Sequence, residues 1–450
     1  MNILSLNKKE SFILFAGDVI LLYVALWLTL AIRYGALPTK ELLENHLTPF
    51  SLLFLVWVLI FFIAGLYEKH TLILKSRLPA IILNTQIINS VIAVLFFYFI
   101  PYFGITPKTN LFLYLLISFA FILGWRILGV PVLGFRKRQK AILIGSGEEM
   151  RELRDEVNNN PRYNLTFVSS IDLNQLEGVD FEDEILNTIY SENISTIVID
   201  LKNEKVEPIL PRLYNLIFSK IKFIDKYKVY EDIFDRVPLS LVGYNWFLEN
   251  ISSSSHIAYD FLKRLMDIVI ALLLGAVSLI LYPFVYTAIK LDDGGSLFFI
   301  ARRVGRNNKE IKLIKFRSMA VGSQGGGIEE APQITRVGSF LRKTRVDELP
   351  QLWNVLKGDA SLVGPRPETP ELVKLYEKEI PYYNVRHLIK PGLSGWAQMY
   401  HEEHPHHGPD VEETKRKLSY DLYYIKNRSV LLDLKIALKT LKTLLSRGGR

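Results

Sequence analysis

The stretch RVDELPQLWNVLKG, residues 345 to 358, sets Asp347 beside Glu348 among basic side chains, just before Pro350 and an amphipathic run. Adjacent carboxylates can cap a helix, sit in solvent, or do chemistry. Leu349, Leu352, Trp353 and Leu356 fall on one helical face, Gly358 is a natural stop, and Pro350 fits a first helical turn. That makes Asp347 the N-cap. A capping carboxylate usually accepts from the N–H of the third helical residue, which here would be Pro350 and has none to give. A carboxylate at the positive end of a helix, ringed by arginine, stays ionised and can attack phosphorus. An acidic surface turn is the competing reading.

The basic company extends along the chain. FFIARRVGRNNKEIKLIKFRSM (298 to 319), TRVGSFLRKTRVDELPQLWNVLKGDASLVGPRPE (335 to 368) and RHLIKPGLSGWAQMY (386 to 400) carry paired cations held by glycine or proline turns. Several guanidinium groups around one carboxylate pair suit a pyrophosphate bound through a divalent metal. Lys315, Arg317, Arg342 and Arg366 are the candidate phosphate contacts; ordinary surface charge is the alternative for each.

The elements that must position these groups begin in a membrane. Of 450 residues, 49% are hydrophobic, and the length calls for more than one domain. Apolar runs at 11 to 32, 48 to 66, 79 to 100 and 109 to 130 each approach the roughly 20 residues that cross a bilayer. Lys8 and Lys9, then Lys69, Lys75 and Arg77, then FRKRQK (135 to 140) fall on one side, so the N-terminus and everything after residue 135 are expected in the cytoplasm. Asp18, inside the first run, is expected to reach the interface. The net charge of +8 suits anionic lipid or phosphorylated ligands, and without a dense basic-aromatic tract no nucleic acid is expected. The absence of cysteine excludes disulfides, thiolate catalysis and cysteine zinc sites.

From Gln139 the pattern turns α/β: QKAILIGSGEEMRELRDEV reads as strand, glycine turn and helix, and ISTIVID (194 to 200) and IKFID (221 to 225) as further strands. This is a Rossmann-like domain, yet Met150 stands where the third glycine of a dinucleotide fingerprint belongs, and Glu148 and Glu149 sit where a phosphate would go. A serine-rich linker (252 to 255) leads out. A fifth apolar run, 263 to 290, is long enough to span, but Pro283 permits a re-entrant hairpin with both ends on the cytoplasmic face.

The ordered set KRLMD, RRVG, KFRSM, LRKTRVDELPQLWNVLKGDASLVGPRP and KPGLSGWAQ, from about Tyr259 to Leu445, closely resembles the bacterial sugar transferases, the polyprenyl-phosphate glycosyl-1-phosphate transferases. With the preceding helices and α/β unit the chain looks like their large membrane form. The resemblance implies three parts: a four-helix transmembrane bundle (1–135), a Rossmann-like α/β cytoplasmic domain (136–255), and a monotopic, mostly α catalytic domain (256–450) with a re-entrant membrane helix. It implies transfer of a sugar 1-phosphate from a nucleoside diphosphate sugar, expected to be a UDP-sugar, to a polyprenyl phosphate such as undecaprenyl phosphate. That step initiates exopolysaccharide, capsule or O-antigen assembly at the inner membrane. Asp347 would be the nucleophile, giving a phosphoaspartyl sugar intermediate, and Glu348 would hold Mg²⁺ or assist activation. Arg303 and Asp359 also match motif positions, and a homodimer is expected. The chain departs from many relatives in carrying Tyr282, not serine, before Pro283.

Two other readings remain open at this point. A membrane-bound NAD-dependent sugar nucleotide dehydratase or epimerase would need a Tyr-x-x-x-Lys pair, a spacing present at Tyr259 with Lys263 and at Tyr286 with Lys290. An inactive membrane scaffold would carry the motifs as relics. HEEHPHHGPD, with His401, His404, His406 and His407, is expected to be a solvent loop, and LLDLKIALKTLKTLLSR an amphipathic basic helix at the membrane surface or against a partner.

Overall fold

The computed structural model describes residues 5–67, 78–100, 108–129, 138–160, 163, 165–174, 187–189, 191–201, 203–207, 210–219, 221–252, 257–320, 333–400 and 410–446. Lys69, Lys75 and Arg77, the serines after 252 and the histidine loop lie outside the described residues. The chain divides into two compact units, Met1–Val229 and Tyr230–Arg450.

The first unit begins with helices Ser5–Tyr34, Lys40–Ile63, Leu78–Phe99 and Lys108–Gly124, the last continuing as a π turn to Gly129. The first three are long and apolar enough to cross a membrane, and the fourth is a shorter apolar helix. Together they fit a membrane bundle. Phe50, Phe54, Trp57, Phe97 and Tyr114 fill its centre, and the buried Tyr114 hydroxyl donates to the Leu22 carbonyl at 3.0 Å. Leu55 and Phe99 face outward, 73% and 72% exposed, as lipid contact allows and water would not.

Asp18 departs from expectation. It is fully buried and paired with the equally buried Arg126, whose other guanidinium nitrogen donates to the Leu66 carbonyl. Snorkelling to the interface is replaced by an internal ion pair between residues 108 positions apart, the arrangement by which apolar surroundings tolerate a charge. Lys40 lies on the helix after the first loop, in an exposed pair with Glu44.

The remainder of the first unit holds a four-stranded parallel sheet in the order β2-β1-β3-β4: β1 Gln139–Gly145, β2 Leu165–Asp172, β3 Thr196–Ile199 and β4 Lys222–Asp225. Every residue of β3 is buried, as a strand covered on both faces requires. At the carboxyl ends of the strands, Lys226 and Asp200 form a buried pair at 2.9 Å, and the Tyr227 hydroxyl donates to the same carboxylate at 2.8 Å. Gly147, at φ 88°, opens the helix Glu148–Asn159 without a side-chain cap. A Cβ on Gly145 would stand 3.0 Å from Lys226 Cδ, so the crevice beside the glycine turn is filled by the chain's own cation.

The second unit is mostly helical. Its first segment packs inward: Val237 and Trp246 share a core with Val373, Tyr376, Tyr383, Leu418 and Leu422. The long helix Ile257–Asp292 follows and runs through Pro283 without the interruption that the sequence reading of a hairpin placed at the proline. Near its start, Arg264 donates to the carbonyls of Val355 and Leu356 at 2.7 and 2.8 Å, and the Asp267 carboxylate accepts from the Leu362 N–H at 3.1 Å. Beyond the proline, Val285 and Ile289 pack on Phe316 and Leu341, and the Asp292 carboxylate accepts from the Val337 N–H at 3.0 Å. Both ends therefore rest on the same unit. Between them Leu273, Val277, Ile280 and Phe284 are exposed.

Against this helix lie the antiparallel pair β5 (Phe298–Val304) and β6 (Glu310–Phe316), and the short parallel pair β7 (Ser361–Val363) and β8 (Gly392–Ser394). The backbones at Gly364 and Gly392 meet so closely that a Cβ on Gly392 would lie 2.0 Å from the Gly364 nitrogen. Only glycine permits that approach. Helices Val411–Lys426 and Val430–Ser446 close the unit.

Candidate active site

Asp347 and Glu348 sit on a single 3₁₀ turn, Val346–Glu348, between helix Arg336–Lys343 and helix Gln351–Lys357. The residue entering the turn, Arg345, has φ 57°, the left-handed region that favours glycine. Asp347 is not the helix N-cap expected from sequence: that position falls to Pro350, and the preceding 3₁₀ turn runs into the helix through Leu349. Gly358, at φ 95°, ends the helix as expected. The helical face is also rotated. Leu352 and Val355 are buried, whereas Trp353 is 43% exposed and its indole N–H donates to the Tyr282 hydroxyl at 3.2 Å.

Asn354 fixes this helix to β6. Its side chain accepts from the Ile314 N–H at 3.0 Å and donates to the Lys312 carbonyl at 2.7 Å. The tie carries the carboxylates to the end of β6, where Lys315 stands, and a third approach comes from Arg366 after β7. Glu348 Oε1 then receives Lys315 Nζ at 3.2 Å, Arg366 at 3.2 Å and Arg345 at 3.5 Å. Burial alone would raise the Glu348 carboxyl, but Arg366, Lys315 and Arg345 outweigh it and hold it at about 2. Its neighbour goes the other way: burial first, and the Glu348 charge second, push the Asp347 carboxyl up against the pull of Lys315, Arg345 and Arg342. The pair is thus one firmly ionised acid beside one held in a poorly solvated place. Asp347 is 7% exposed, and its Oδ1 has no hydrogen-bond partner among the described residues. A buried acceptor left open beside a carboxylate that lines a cationic cavity is available to a ligand.

Of the other predicted residues, the structure brings Lys315 and Arg366 directly to Glu348. Arg342 lies close enough to act on Asp347 electrostatically, and its Nε donates to the Ser318 hydroxyl at 2.9 Å. Burial lowers the Arg303 guanidinium while Glu368 opposes that shift and Arg366 adds to it, which places Arg303 at the edge of the same group. Arg317 turns away, donating to the Met319 carbonyl at 2.9 Å and standing 3.7 Å from Asp293. Asp359 pairs with Lys357 at 3.0 Å, just past the helix stop. Both of these support turns.

Other participants carry no local signal. Arg386, buried, donates to the Arg366 carbonyl at 2.9 Å and pairs with the buried Asp421 at 2.8 Å, so the backbone that presents Arg366 is held from behind. Burial raises the Asp421 carboxyl even with Arg386 beside it. Tyr259 and Lys263, spaced as the dehydratase or epimerase reading requires, are both committed to the Asp433 carboxylate at 2.8 Å, and the pair at Tyr286 and Lys290 has the Lys290 ammonium donating to the Gly294 carbonyl at 3.0 Å.

Glu348, Arg345 and Arg366 line one end of a cavity of about 880 Å³. No group of three His, Cys, Asp or Glu side chains that could hold a metal occurs among the described residues. One carboxylate with phosphate oxygens and water completing the shell is a usual Mg²⁺ environment, and Glu348, held ionised at the mouth of this cavity, fits that donor set.

Comparison with known proteins places the same region in context. Residues 258–447 match the family model described as bacterial sugar transferase. The chain is 44% identical over 197 residues to the UDP-N-acetylgalactosamine-undecaprenyl-phosphate N-acetylgalactosaminephosphotransferase of Aeromonas hydrophila, a match covering 42% of this chain and 45% of that protein. It is 40% identical over 198 residues to the exopolysaccharide production protein PSS of Rhizobium leguminosarum bv. phaseoli, covering 42% of this chain and 96% of the relative. A longer match, 29% identical over 359 residues, joins 76% of the chain to 66% of the undecaprenyl-phosphate glucose phosphotransferase of Komagataeibacter xylinus. The chain thus spans less than half the length of the Aeromonas relative.

Proposed function

This chain belongs to the bacterial sugar transferase family, and from that premise we propose that it moves a sugar 1-phosphate from a nucleoside diphosphate sugar to a polyprenyl phosphate. The observation that carries the reading is the open, buried Asp347 oxygen beside a carboxylate that gathers three cations. Asp347 attacks the phosphorus bonded to the sugar. A P–O bond to aspartate forms, the bond to the bridging diphosphate oxygen breaks, and nucleoside monophosphate leaves with that oxygen. The phosphate oxygen of the lipid then attacks the same phosphorus and restores the Asp347 carboxylate, giving a sugar diphospholipid.

An anionic nucleophile and a diphosphate repel, so most of the catalytic task is charge neutralisation. Lys315, Arg345 and Arg366 supply it, with Arg342 and Arg303 at the margin. Mg²⁺ held by Glu348 and the phosphate oxygens would add positive charge at the diphosphate and leave the open Asp347 oxygen to attack. The names of the relatives support undecaprenyl phosphate as acceptor and a UDP-sugar as donor, and a role in exopolysaccharide production. The basic flanks support a catalytic unit on the cytoplasmic face of the inner membrane, the anchoring of both ends of Ile257–Asp292 on one unit supports a re-entrant placement, and the parallel sheet supports a Rossmann-like module. The large form acts as a homodimer in this reading.

The test is to supply the purified chain in lipid nanodiscs with polyprenyl phosphate, Mg²⁺ and a panel of UDP-sugars. Nucleoside monophosphate and sugar diphospholipid should appear in equal amounts; nicotinamide reduction in their place overturns the reading. The pH profile follows from the raised Asp347 carboxyl. Attack needs the ionised form, so kcat/KM should climb as pH rises through that pKa and be lost below it, with the acid limb above the ordinary aspartate value of about 3.9. A limb at or below that value, measured by nucleotide release, would remove Asp347 as the titrating nucleophile.

A further inference from the structure

The cavity beside Glu348 has two chemically different ends. One is the cationic cluster. The other is apolar, with Ile270 and Leu274 of the long helix facing Leu434, Leu441 and Leu444 of helix Val430–Ser446. Spaced at i, i+7 and i+10, the three leucines form one stripe, and they are 40 to 46% exposed although they line a cavity. Their direction is fixed by what pins the rest of the helix. Asp433 accepts from Lys263, Tyr259 and Tyr424 at 2.7 to 2.8 Å; Lys435 and Lys439 lie 4.7 and 5.7 Å from the centre of the Trp396 ring; and the Thr440 hydroxyl pairs with that of Ser394. A nucleoside diphosphate sugar carries no hydrocarbon chain to cover such an aliphatic wall. A phosphate with a hydrocarbon tail satisfies both ends, and ligand sites that bury most of a bound molecule are about 300–1,000 Å³, a range that includes this one.

We propose that helix Val430–Ser446 is the acceptor wall of the site: its leucine stripe, with Ile270 and Leu274, holds the first isoprene units of the polyprenyl phosphate, whose phosphate lies at Arg345 and Arg366. The proposal rests on the transfer reading given above. It divides the reaction by residue, the leucine stripe serving the second half-reaction and not the first.

Leu441→Asp should raise the KM for polyprenyl phosphate at least tenfold, and Leu441→Ser, a milder change at a half-exposed position, several-fold. The first half-reaction, read without lipid acceptor as exchange of labelled nucleoside monophosphate into the sugar nucleotide, should stay within twofold of the unmodified chain for both. Leu431→Asp is the control, because Leu431 is 79% exposed on the same helix and does not line the cavity; its acceptor KM should not move. Equal losses at Leu431 and Leu441 would make the helix a general membrane contact and overturn the proposal. Loss of exchange together with lipid transfer in the Leu441→Ser variant would overturn it too, as would competition by phosphatidic acid as strong as that of unlabelled polyprenyl phosphate. Failure of the transfer reading shows separately, as absence of exchange in the unmodified chain.

Discussion

Asp347→Asn should abolish exchange and lipid transfer, lowering kcat by about 10⁴-fold or more, the scale on which enzymes lose a covalent nucleophile. The amide has nearly the shape of the carboxylate, so the turn at Val346–Glu348 should persist. What disappears is the charge and the oxygen that bonds to phosphorus. Stability should move the opposite way. The raised pKa means that ionised Asp347 is less well accommodated in the folded chain than in the unfolded one, a penalty present at neutral pH and relieved as pH falls through the folded pKa. Asparagine removes that penalty, so the variant should unfold at the same temperature or slightly higher. Intact mass after incubation with donor alone supplies the direct readout. The unmodified chain should gain the mass of a sugar phosphate and Asp347→Asn should not; an adduct retained on the asparagine variant would show that another group attacks.

The second large effect is expected away from the nucleophile. Asp421→Asn leaves the Arg386 guanidinium buried without its counter-ion, a change that costs about 3–5 kcal/mol where the partner charge remains. Arg386 also holds the Arg366 carbonyl, so loosening it should weaken donor binding as well as the fold. The double variant Arg386→Met with Asp421→Leu separates the two. Replacing both partners with apolar groups should recover most of the unfolding temperature in detergent, since no orphan charge remains. Activity should not return with it, because Arg386→Met removes the donor to the Arg366 carbonyl. Full recovery of both would reduce the pair to packing.

Some of this was legible in the chain and some was not, and the difference follows distance along the backbone. Asp347 and Glu348 are adjacent, so their partnership required no fold to see. The apolar runs announced the N-terminal helices, and the short β-rich segments announced β1, β3 and β4, because period and length are local properties. The N-cap assignment failed for a local reason: a 3₁₀ turn and a capped helix share the same preference for Asp and Pro, and the left-handed Arg345 decided between them. Arg317 and Lys315 looked alike, two residues apart in KFRSM, and the structure separates them: Lys315 lies on β6 and reaches Glu348, while Arg317, just past the strand, reaches Asp293. Arg386 with Asp421, Asp18 with Arg126, and Asn354 with β6 join distant segments. Asp18 stands out as an acid in an apolar run and the others read as ordinary surface charge or a neutral helix position, but only tertiary packing reveals which partner each holds.

The left-handed backbone at Arg345 has a meaning for how this turn could be altered. A non-glycine residue held there costs on the order of 1–3 kcal/mol, and glycine would occupy the same conformation without that cost. Glycine at that position would relax the loop yet remove one of the three cations that keep Glu348 ionised. A selection for thermal robustness alone would drift toward glycine at 345 and lose turnover along the way, which makes this residue a point where endurance and activity pull the sequence in opposite directions.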